Sequence, residues 1–530
     1  MSQVYIRTRF FPLFILFMFP LILPISGENT GKGESPEEHR ANFLGDVKIS
    51  PFPAMEGNLA AYSETQVNKR AKALGIDEKA VYHLAKDFPM LYREISSGMK
   101  YPSRVTPFNE TKFSDLNALI REKGNGSAIR VEKDALEADK PLEIVSADCH
   151  IDFRGAEIKS GGIEQGFGVY IRRSRNVTIS GLILHDFPDG IFITESENIR
   201  IRDCGFERTK GNPVLIAGDV RNFMVEKSRF YESGRAGVIV ESGVICGIIQ
   251  DNEFDSGRSF GNHEAGILLT DKGIYNIDQK VKFPERIHDR TKPAQKIIIL
   301  HNAITNNMSS GIYCDGGVLN FMIENRITGN SKEGVCLDSG STGNIFYGNA
   351  VKFNGKRYGQ TDRALEADFV LGHGRLADGC AAAKLPGISI DNAMYNMVVA
   401  NIIQDNYGGG VKMVRTGINN LVAMNTIINN NEGASDKFHF FGIEMGAARA
   451  DVPCGDLDFM ASSGNIITGN MIYGDHYAGI FLGDGSIMNR VKENIIQGAT
   501  HWAVESVKEQ ENEVSGNLSD CKSLNIKPLQ

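Results

Sequence analysis

A repeat of 23 or 24 residues runs through most of this chain. Its clearest marker is a small or polar residue before a short apolar stretch, and in the carboxyl half that residue is asparagine. The marker positions are Gly181, Cys204, Ser228, Asn252, Asn302, Asn325, Asn349, Asn401, Asn425, Asn470 and Asn494. Three longer steps of 50, 52 and 45 residues hold a second period or an insertion. Three short strand-like runs per period indicate one turn of a parallel β-helix.

A second marker consists of glycine, an aliphatic residue, any residue, an apolar residue and a polar one. It begins at Gly311, Gly334 and Gly387, and such alternation is typical of a strand with one buried face. Leucine-rich repeats have a similar period, but they need a leucine-rich consensus and a helical half, which these repeats do not have. We therefore predict an all-β chain that folds as a right-handed parallel β-helix (a solenoid) with a small helical N-terminal region.

The chain divides into four predicted regions: a signal peptide (1–27), a flexible leader with a short helical region (28–107), the β-helix (108–507) and a C-terminal tail (508–530). The first region has a basic start, an apolar run and small residues where a peptidase cuts. A retained membrane anchor is the alternative, but the apolar run is short for a span and two prolines interrupt it. We expect a secreted or periplasmic protein that has no membrane span after cleavage and is a monomer.

Charge and cysteine content limit the partners. The net charge of -8 argues against a nucleic-acid partner. It would also repel an anionic glycan, so binding one would need local Lys, Arg or a bound cation. The eight cysteines show no zinc-type spacing. Cys380 and Cys454 fall in apparent insertions and form the pair that we would test for a disulfide.

Stacking of the repeats predicts an acidic column. The second outward position of the glycine-led strand is occupied by Asp315, Asp338 and Asp391 in consecutive coils. Carboxylates about 5 Å apart repel each other, so the column needs a cation, a flanking base or a shared proton. We interpret it as a candidate metal site. A solvated turn position that merely favours aspartate is the alternative.

Basic and aromatic residues fall beside this column. Lys412 lies on the next coil and Arg415 just beyond its strand, so either is a candidate base, although ordinary salt bridges with the acids are the alternative. The first outward position also holds Tyr313 and Glu444. The residues that approach the same strand in other coils are His263, His439, and the pair His476 and Tyr477. The long insertions fall near the same strands, where loops on a solenoid usually shape the binding face.

The coils from about residue 108 to 507 resemble the parallel β-helix repeats of the pectate lyase-like superfamily. That group includes polysaccharide lyases, C5-epimerases and polygalacturonase-type hydrolases. The resemblance implies that the acidic column binds a cation, Ca²⁺ being the expected one, beside a Lys or Arg that removes the proton next to a uronate carboxyl. The Asp-Pro-His-Asp motif of the alginate epimerases is not present; the nearest string, from His185 to Asp189, differs.

Together, these patterns predict an exported enzyme that acts on an acidic polysaccharide by β-elimination or C5 epimerisation. The predicted catalytic residues are Lys412, Arg415 and His263; the predicted substrate-binding residues are Tyr313, Tyr477, Glu444 and His439; the predicted metal ligands are Asp315, Asp338 and Asp391. A polygalacturonase-type glycoside hydrolase and a non-catalytic glycan-binding or surface protein are the alternatives.

Overall fold

The structure is a computed structural model that describes residues 71–97, 105–255, 265–274, 286–288, 291–355, 385–414, 416–431, 440–446, 462–483, 486–506, 512–521 and 525–526. Helices α1 (Glu78–Ser97) and α2 (Phe113–Lys123) lie in this part of the chain, and residues 71–73 are also helical. Neither helix combines the length and apolarity that crossing a membrane requires.

The described strands form three long parallel sheets and one hairpin. Sheet 1 contains β1 (Val105–Phe108), β2 (Ser127–Val131), β5 (Cys149–Asp152), β8 (Arg175–Ser180), β11 (Glu197–Arg202), β14 (Arg221–Glu226), β17 (Ile245–Gln250), β22 (Gln295–Leu300), β25 (Phe321–Ile323), β28 (Ile345–Tyr347), β31 (Met397–Val399), β34 (Leu421–Ala423), β37 (Ile466–Thr468), β40 (Arg490–Lys492) and β43 (Glu513–Ser515).

Sheet 2 contains β3 (Ala135–Glu137), β6 (Glu157–Lys159), β9 (Ile183–His185), β12 (Gly205–Glu207), β15 (Arg229–Tyr231), β18 (Glu253–Asp255), β23 (Ala303–Thr305), β26 (Arg326–Thr328), β29 (Ala350–Lys352), β32 (Ile402–Gln404), β35 (Thr426–Ile428), β38 (Met471–Tyr473), β41 (Ile495–Gln497) and β44 (Leu518–Ser519).

Sheet 3 contains β4 (Leu142–Val145), β7 (Phe167–Arg172), β10 (Asp189–Thr194), β13 (Val214–Ile216), β16 (Val238–Val240), β19 (Ala265–Thr270), β24 (Ser310–Asp315), β27 (Val335–Asp338), β30 (Ile388–Asp391), β33 (Val411–Val414), β36 (Phe441–Met445), β39 (Ala478–Leu482), β42 (Trp502–Ser506) and β45 (Asn525–Ile526). The hairpin pairs β20 (Lys272–Ile274) with β21 (Arg286–His288).

Each coil passes once through sheets 1, 2 and 3, which is the predicted right-handed parallel β-helix, and this prediction is confirmed. Side chains alternate in and out along every strand, so inward residues of successive coils form one continuous core. Ile312, Val335 and Ile388 pair in register along sheet 3 and are fully buried. Aromatic residues stack in the same way inside sheet 2, where the Phe230 and Phe254 rings lie 4.5 Å apart.

Buried asparagine ladders connect the coils at all three corners. In the corner between sheets 1 and 2, Asn349 donates its backbone N–H and its Nδ2 to Asn401 Oδ1 at 2.8 and 2.9 Å. The Asn401 Nδ2 in turn donates to Asn425 Oδ1 and to the Phe346 carbonyl. The Asn401 oxygen therefore accepts two hydrogen bonds from the preceding coil, and its Nδ2 donates to both neighbouring coils, so the buried amide is fully bonded.

The sequence pattern predicted the first of these ladders, and the structure contains two more. The first ladder is Asn252, Asn302, Asn325, Asn349, Asn401, Asn425, Asn470, Asn494 and Asn517. The ladder between sheets 2 and 3 is Asn307, Asn330, Asn354, Asn406 and Asn430. The ladder between sheets 3 and 1 is Asn320, Asn344, Asn396, Asn420, Asn465, Asn489 and Asn512.

The two helices cover apolar surface at one end and along one side of the stack. Helix α2 buries Phe113, Leu116 and Ile120 in the main core, so it caps the first coils. Helix α1 packs across the outer face of sheet 1, where Phe88 meets Phe321 with ring centroids 4.9 Å apart. Tyr92 of the same helix donates a hydrogen bond to Gln250 at 2.9 Å.

The predicted limits of the β-helix, residues 108 and 507, are both too narrow. Strand β1 already pairs with β2 from Val105. At the other end β43 and β44 continue sheets 1 and 2 beyond residue 507, and Asn512 and Asn517 extend two of the ladders. The predicted tail therefore contributes at least part of another coil.

His476 takes the place of asparagine at the end of the ladder between sheets 2 and 3. Its Nε2 accepts the Asn430 backbone N–H at 3.0 Å, and the side chain is fully buried. A backbone N–H can only donate, so Nε2 must be unprotonated. Burial lowers the pKa of His476 to about 4. The residue is therefore a structural part of the ladder.

Replacing one central amide should show how much a ladder stabilises the stack. Asn401→Ala removes the acceptor of the Asn349 N–H and the donor to Phe346 O, all of them buried. We expect a loss of about 3 kcal/mol in the free energy of unfolding, measured in urea. The exposed Asn109 gives the matched control, since Asn109→Ala should change stability by less than about 0.5 kcal/mol. Equal effects of the two substitutions would contradict the role of the ladder.

The His476 assignment predicts a pH dependence of stability. Because the folded pKa lies below that of a free histidine, the unfolded chain binds the proton more readily. This contribution to stability is complete above about pH 6.5 and is lost as the pH falls towards 4, about 3 kcal/mol in all. His476→Asn restores the residue used in the preceding coils and should flatten the stability profile between pH 6.5 and 4. If the stability of the His476→Asn variant, measured by urea unfolding, depends on pH as steeply as that of the unsubstituted protein in this range, the assignment is wrong.

Candidate functional site

The candidate site lies on the outer face of sheet 3. Each glycine-led strand of this sheet comes close to the next coil at its glycine. A Cβ on Gly311 would lie 2.7 Å from Gly334 O, and a Cβ on Gly334 would lie 2.9 Å from Gly387 O. Only glycine fits without a shift of the backbone. The glycine marker found in the sequence therefore identifies the point where each coil enters sheet 3, and it sets the side-chain alternation that follows.

The three predicted aspartates lie on this face in consecutive coils, and we call them the aspartate column. Asp315 pairs in register with Asp338. Asp391 follows Ile390, which pairs with Leu337, the residue before Asp338. Asp315 is only 4% exposed, whereas Asp338 and Asp391 are half-buried. The latter two carboxylates are therefore the ones that a ligand on this face can reach.

Lys272 neutralises the buried end of the column. Its Nζ lies 2.8 Å from Asp315 Oδ2, and the Thr270 hydroxyl also donates to this oxygen at 3.4 Å. Lys272 opens the hairpin strand β20, and its backbone N–H is held by Thr270 Oγ1 at 3.0 Å. The sequence analysis did not identify this lysine because it lies in an insertion outside the repeat. The sequence signal that could have identified Lys272 is its position two residues after the outward Thr270.

Tyr313 is hydrogen-bonded to the column. Its hydroxyl donates to Asp338 Oδ2 at 3.4 Å, and Asp338 Oδ1 accepts the Ser339 backbone N–H at 2.6 Å. Burial, followed by the carboxylates of Asp315 and Asp338, raises the pKa of Tyr313 well above its usual value. The hydroxyl therefore keeps its proton and acts as a donor. The predicted role of Tyr313 in stacking on a sugar ring stays a prediction.

Cys336 lies between Tyr313 and Ser389 in the same outward column. Burial raises the pKa of its thiol well above the usual value, and the nearby Glu333, Asp338 and Asp391 carboxylates add to the effect. A thiol in this environment stays protonated, whereas the reactive form of cysteine is the thiolate. Nucleophilic catalysis by Cys336 does not fit these surroundings.

Lys412 is ion-paired with Glu444. The two residues are register partners on β33 and β36, and Lys412 Nζ lies 3.1 Å from Glu444 Oε1. The pair continues the outward column from Ser389, one coil beyond Asp391. Lys412 therefore forms a salt bridge with Glu444 rather than with the aspartates named in the alternative, and its predicted role as a base remains untested.

The described residues do not assemble a calcium site. Among them, no three His, Cys, Asp or Glu side chains come together in a way that could hold a metal ion. Within the described part of the chain, the Lys272 ammonium is one cationic partner of the column. The predicted Ca²⁺ binding by Asp315, Asp338 and Asp391 stays a prediction.

Tyr477 belongs to a separate aromatic cluster at the carboxyl end of sheet 3. Its ring stacks on His501 with a centroid distance of 4.2 Å and meets the Phe441 edge at 6.2 Å. Phe441 in turn stacks on Phe481 at 4.4 Å. These strands follow Lys412 on the same face, so Tyr477 shares the face of the aspartate column but does not contact the column.

Several predicted features lie outside the described residues. They are the signal peptide (1–27), Arg415, His263, His439, Cys380 and Cys454. The segments that contain His263, Cys380 and His439 each connect a strand of sheet 2 to a strand of sheet 3, namely β18 to β19, β29 to β30 and β35 to β36. The long insertions thus leave and rejoin the stack beside the candidate site, as the sequence pattern indicated.

Solved structures with the same fold cover most of the chain at low identity. A mannuronan C-5 epimerase A-module from Azotobacter vinelandii is 13% identical over 79% of this chain and 100% of that chain, with a TM-score of 0.47. The surface adhesin PfbA of Streptococcus pneumoniae is 13% identical over 76% and 93%, with a TM-score of 0.45. DFA-IIIase from Arthrobacter chlorophenolicus A6 is 13% identical over 79% and 97%, with a TM-score of 0.46.

A comparison with curated protein sequences found no match. The model of the family described as the right-handed β-helix region matches residues 143–281 and 369–519, which together exceed half of the chain. With the observed coils, this match establishes that the chain belongs to the right-handed β-helix family.

Proposed function

We propose that this protein is a polysaccharide-processing enzyme that cleaves a glycan on the outer face of sheet 3 by carboxylate acid–base catalysis. The observation that carries the proposal is the position of Asp338 and Asp391, half-buried side chains on adjacent strands. A pair of carboxyl groups beside the scissile bond performs the chemistry in most glycoside hydrolases. Adjacent strands lie about 4.8 Å apart, which suits the shorter carboxylate separation of the retaining class.

The hydrogen bonds support different roles for the two aspartates. Both oxygens of Asp338 accept hydrogen bonds, from the Tyr313 hydroxyl and from the Ser339 N–H, as an ionised carboxylate does. Asp338 is therefore the proposed nucleophile. Its carboxylate attacks the anomeric carbon while Asp391 gives its proton to the leaving glycosidic oxygen. Water, deprotonated by Asp391, then displaces the Asp338 carboxylate and leaves a new reducing end.

Electrostatics favours a neutral glycan over the acidic polysaccharide that the sequence predicted. The described acids on this face of sheet 3 include Asp315, Asp338, Asp391, Glu444 and Glu505. Lys272 and Lys412 each lie beside one of these acids rather than standing apart from them. A uronate carboxylate brought to this face would meet like charges that the two lysines already partly balance. A hydroxyl-rich neutral chain has no such repulsion.

Proton abstraction from a uronate is the second candidate, and one observation favours it. Lys412 lies in the outward column one coil beyond Asp391, 30% exposed and close enough to Glu444 for a proton to pass between them. If Lys412 is the base, Lys412→Ala should lower turnover of a uronate glycan on the order of 10²-fold or more. The reaction would then release an unsaturated sugar rather than a reducing end alone.

Export and a monomeric state also remain predictions from the sequence.

The test compares neutral and uronate glycans, with product analysis that separates the two reactions. On a neutral glycan we expect new reducing ends with retained anomeric configuration, and proton NMR would detect that configuration. Asp338→Asn and Asp391→Asn should each lower kcat/KM on the order of 10³-fold with little change in melting temperature. Asp405 is a half-buried aspartate at the end of β32 and gives the matched control, since Asp405→Asn should keep full activity. Tyr313→Phe should lower kcat/KM about tenfold.

Two results would contradict the hydrolytic proposal. One is full activity of the Asp338→Asn or Asp391→Asn variant on a verified substrate. The other is a product with ultraviolet absorbance from a uronate glycan, abolished by Lys412→Ala and unaffected by Asp391→Asn. The second result would establish proton abstraction in its place. Loss of activity together with a large fall in melting temperature would assign the aspartates a structural role.

A further inference from the structure

A groove runs across the outer face of sheet 2, away from the aspartate column. It consists of two adjoining depressions of about 530 and 490 Å³ that share Glu253 and Ala303. We call it the sheet 2 groove, and its central lining is Glu253, Ala303, Thr305, Arg326, Thr328 and Phe353. Ala303 is small and lies between the longer Glu253 and Arg326 of the neighbouring coils, so it forms the floor. Both depressions are shallow and open to solvent, so a ligand here would lie along the surface rather than inside a closed cavity.

The groove is lined by three acids and three basic residues, namely Asp251, Glu253, Asp255, Lys227, Arg229 and Arg326, and some of its charged groups are ion-paired. His301 Nε2 lies 2.8 Å from Glu324, and His301 Nδ1 lies 3.7 Å from Asp251. Arg229 lies 3.8 Å from Glu253. A ligand with a net charge would therefore meet no excess of the opposite sign. An uncharged ligand that offers many hydroxyl groups can bond to these planar carboxylate and guanidinium groups without disturbing their balance.

Phe353 stands at a left-handed corner position, which residues as large as Arg208 and Glu232 also occupy in other coils. The corresponding residues of the neighbouring coils are Asn306, Gly329, Asp405 and Asn429, with φ between 47° and 70°. Phe353 has φ of 56° at the same position. A left-handed backbone at a bulky residue is unfavourable by roughly 1–2 kcal/mol. Packing does not offset this, because the Phe353 side chain is 53% exposed beside the groove. The exposed ring is therefore accessible to a ligand that lies in the groove.

We infer that the sheet 2 groove is a second, non-catalytic binding site for a neutral oligosaccharide. Phe353 offers one apolar face on which a sugar ring stacks. The hydroxyl groups of Thr305 and Thr328 and the charged ends of Glu253 and Arg326 line the floor and walls, where they bond to sugar hydroxyls. The site lies on a different sheet from the aspartate column, so it holds a polysaccharide without cleaving it. It does not depend on the proposed hydrolytic role of Asp338.

The experiment uses the whole chain carrying Asp338→Asn, so that no proposed substrate is turned over. Cellopentaose, laminaripentaose, xylopentaose and maltopentaose are the probes, and hydrogen exchange read by mass spectrometry locates them. We expect at least one probe to slow exchange in peptides that cover 303–306 and 326–329. Phe353→Asn should weaken that binding about tenfold, because it removes the ring. The same substitution should raise the melting temperature, since asparagine tolerates this backbone.

Phe353→Tyr is the matched variant, because it keeps an aromatic ring and should keep the affinity. Unchanged affinity of Phe353→Asn, or protection confined to sheet 3 peptides, would overturn the inference. Absence of binding by all four probes would overturn it as well. These outcomes are independent of the hydrolytic proposal, which concerns turnover by the Asp338 carboxylate.

Discussion

Hydrogen bonding between stacked asparagine amides is the interaction on which the rest of this structure depends. At each corner one amide oxygen accepts both the backbone N–H and the Nδ2–H of the preceding coil, as Asn401 does for Asn349. A parallel strand that slipped by one residue would break these bonds and also turn its apolar side chains outward. With three ladders present, sheets 1, 2 and 3 are held in register independently. The corners therefore keep outward residues of distant sequence position in straight columns.

The candidate site is a consequence of that register. Asp338 and Asp391 are far apart in the chain, yet the ladders across the intervening insertion, from Asn344 to Asn396 and from Asn349 to Asn401, place their strands side by side. The insertion can then vary without displacing the carboxylates, because the ladder bonds on either side of it hold the coils. Charge balance within the column comes from Lys272, which reaches Asp315 from the hairpin strand β20. A rigid frame with adaptable connections is the usual arrangement of sites on solenoids.

Much of the fold could be predicted from the sequence, because the period of a solenoid is directly visible as a sequence repeat. The 23- and 24-residue steps predicted the coil, and the glycine-led alternation predicted that Asp315 and Asp338 point outward from adjacent strands. The second and third ladders repeat with the same steps, and Asn307 or Asn320 would have revealed them if every asparagine had been placed on the repeat. The ladder position of His476 was not predicted, because a different residue type occupies an asparagine position.

Other features were beyond sequence reasoning for physical reasons. Lys272 belongs to an insertion with no period, and its place two residues after Thr270 does not determine that its side chain reaches Asp315. The partner of Lys412 depends on which of several nearby acids its flexible side chain reaches, and in the structure that acid is Glu444. Whether the three aspartates converge on a point depends on side-chain directions that spacing does not determine. The groove at Phe353 was not predicted either, since it arises from the small size of Ala303 between longer neighbours.

The central claim is that a glycan is processed at the aspartate column on sheet 3. A crystal structure of the Asp338→Asn variant with a bound oligosaccharide of a verified substrate tests it most directly. The account predicts a sugar ring on the outer face of sheet 3, with the scissile glycosidic oxygen within hydrogen-bonding distance of Asp391 and the anomeric carbon facing position 338. Productive binding on another sheet, or a glycosidic bond out of reach of both residues, would contradict it.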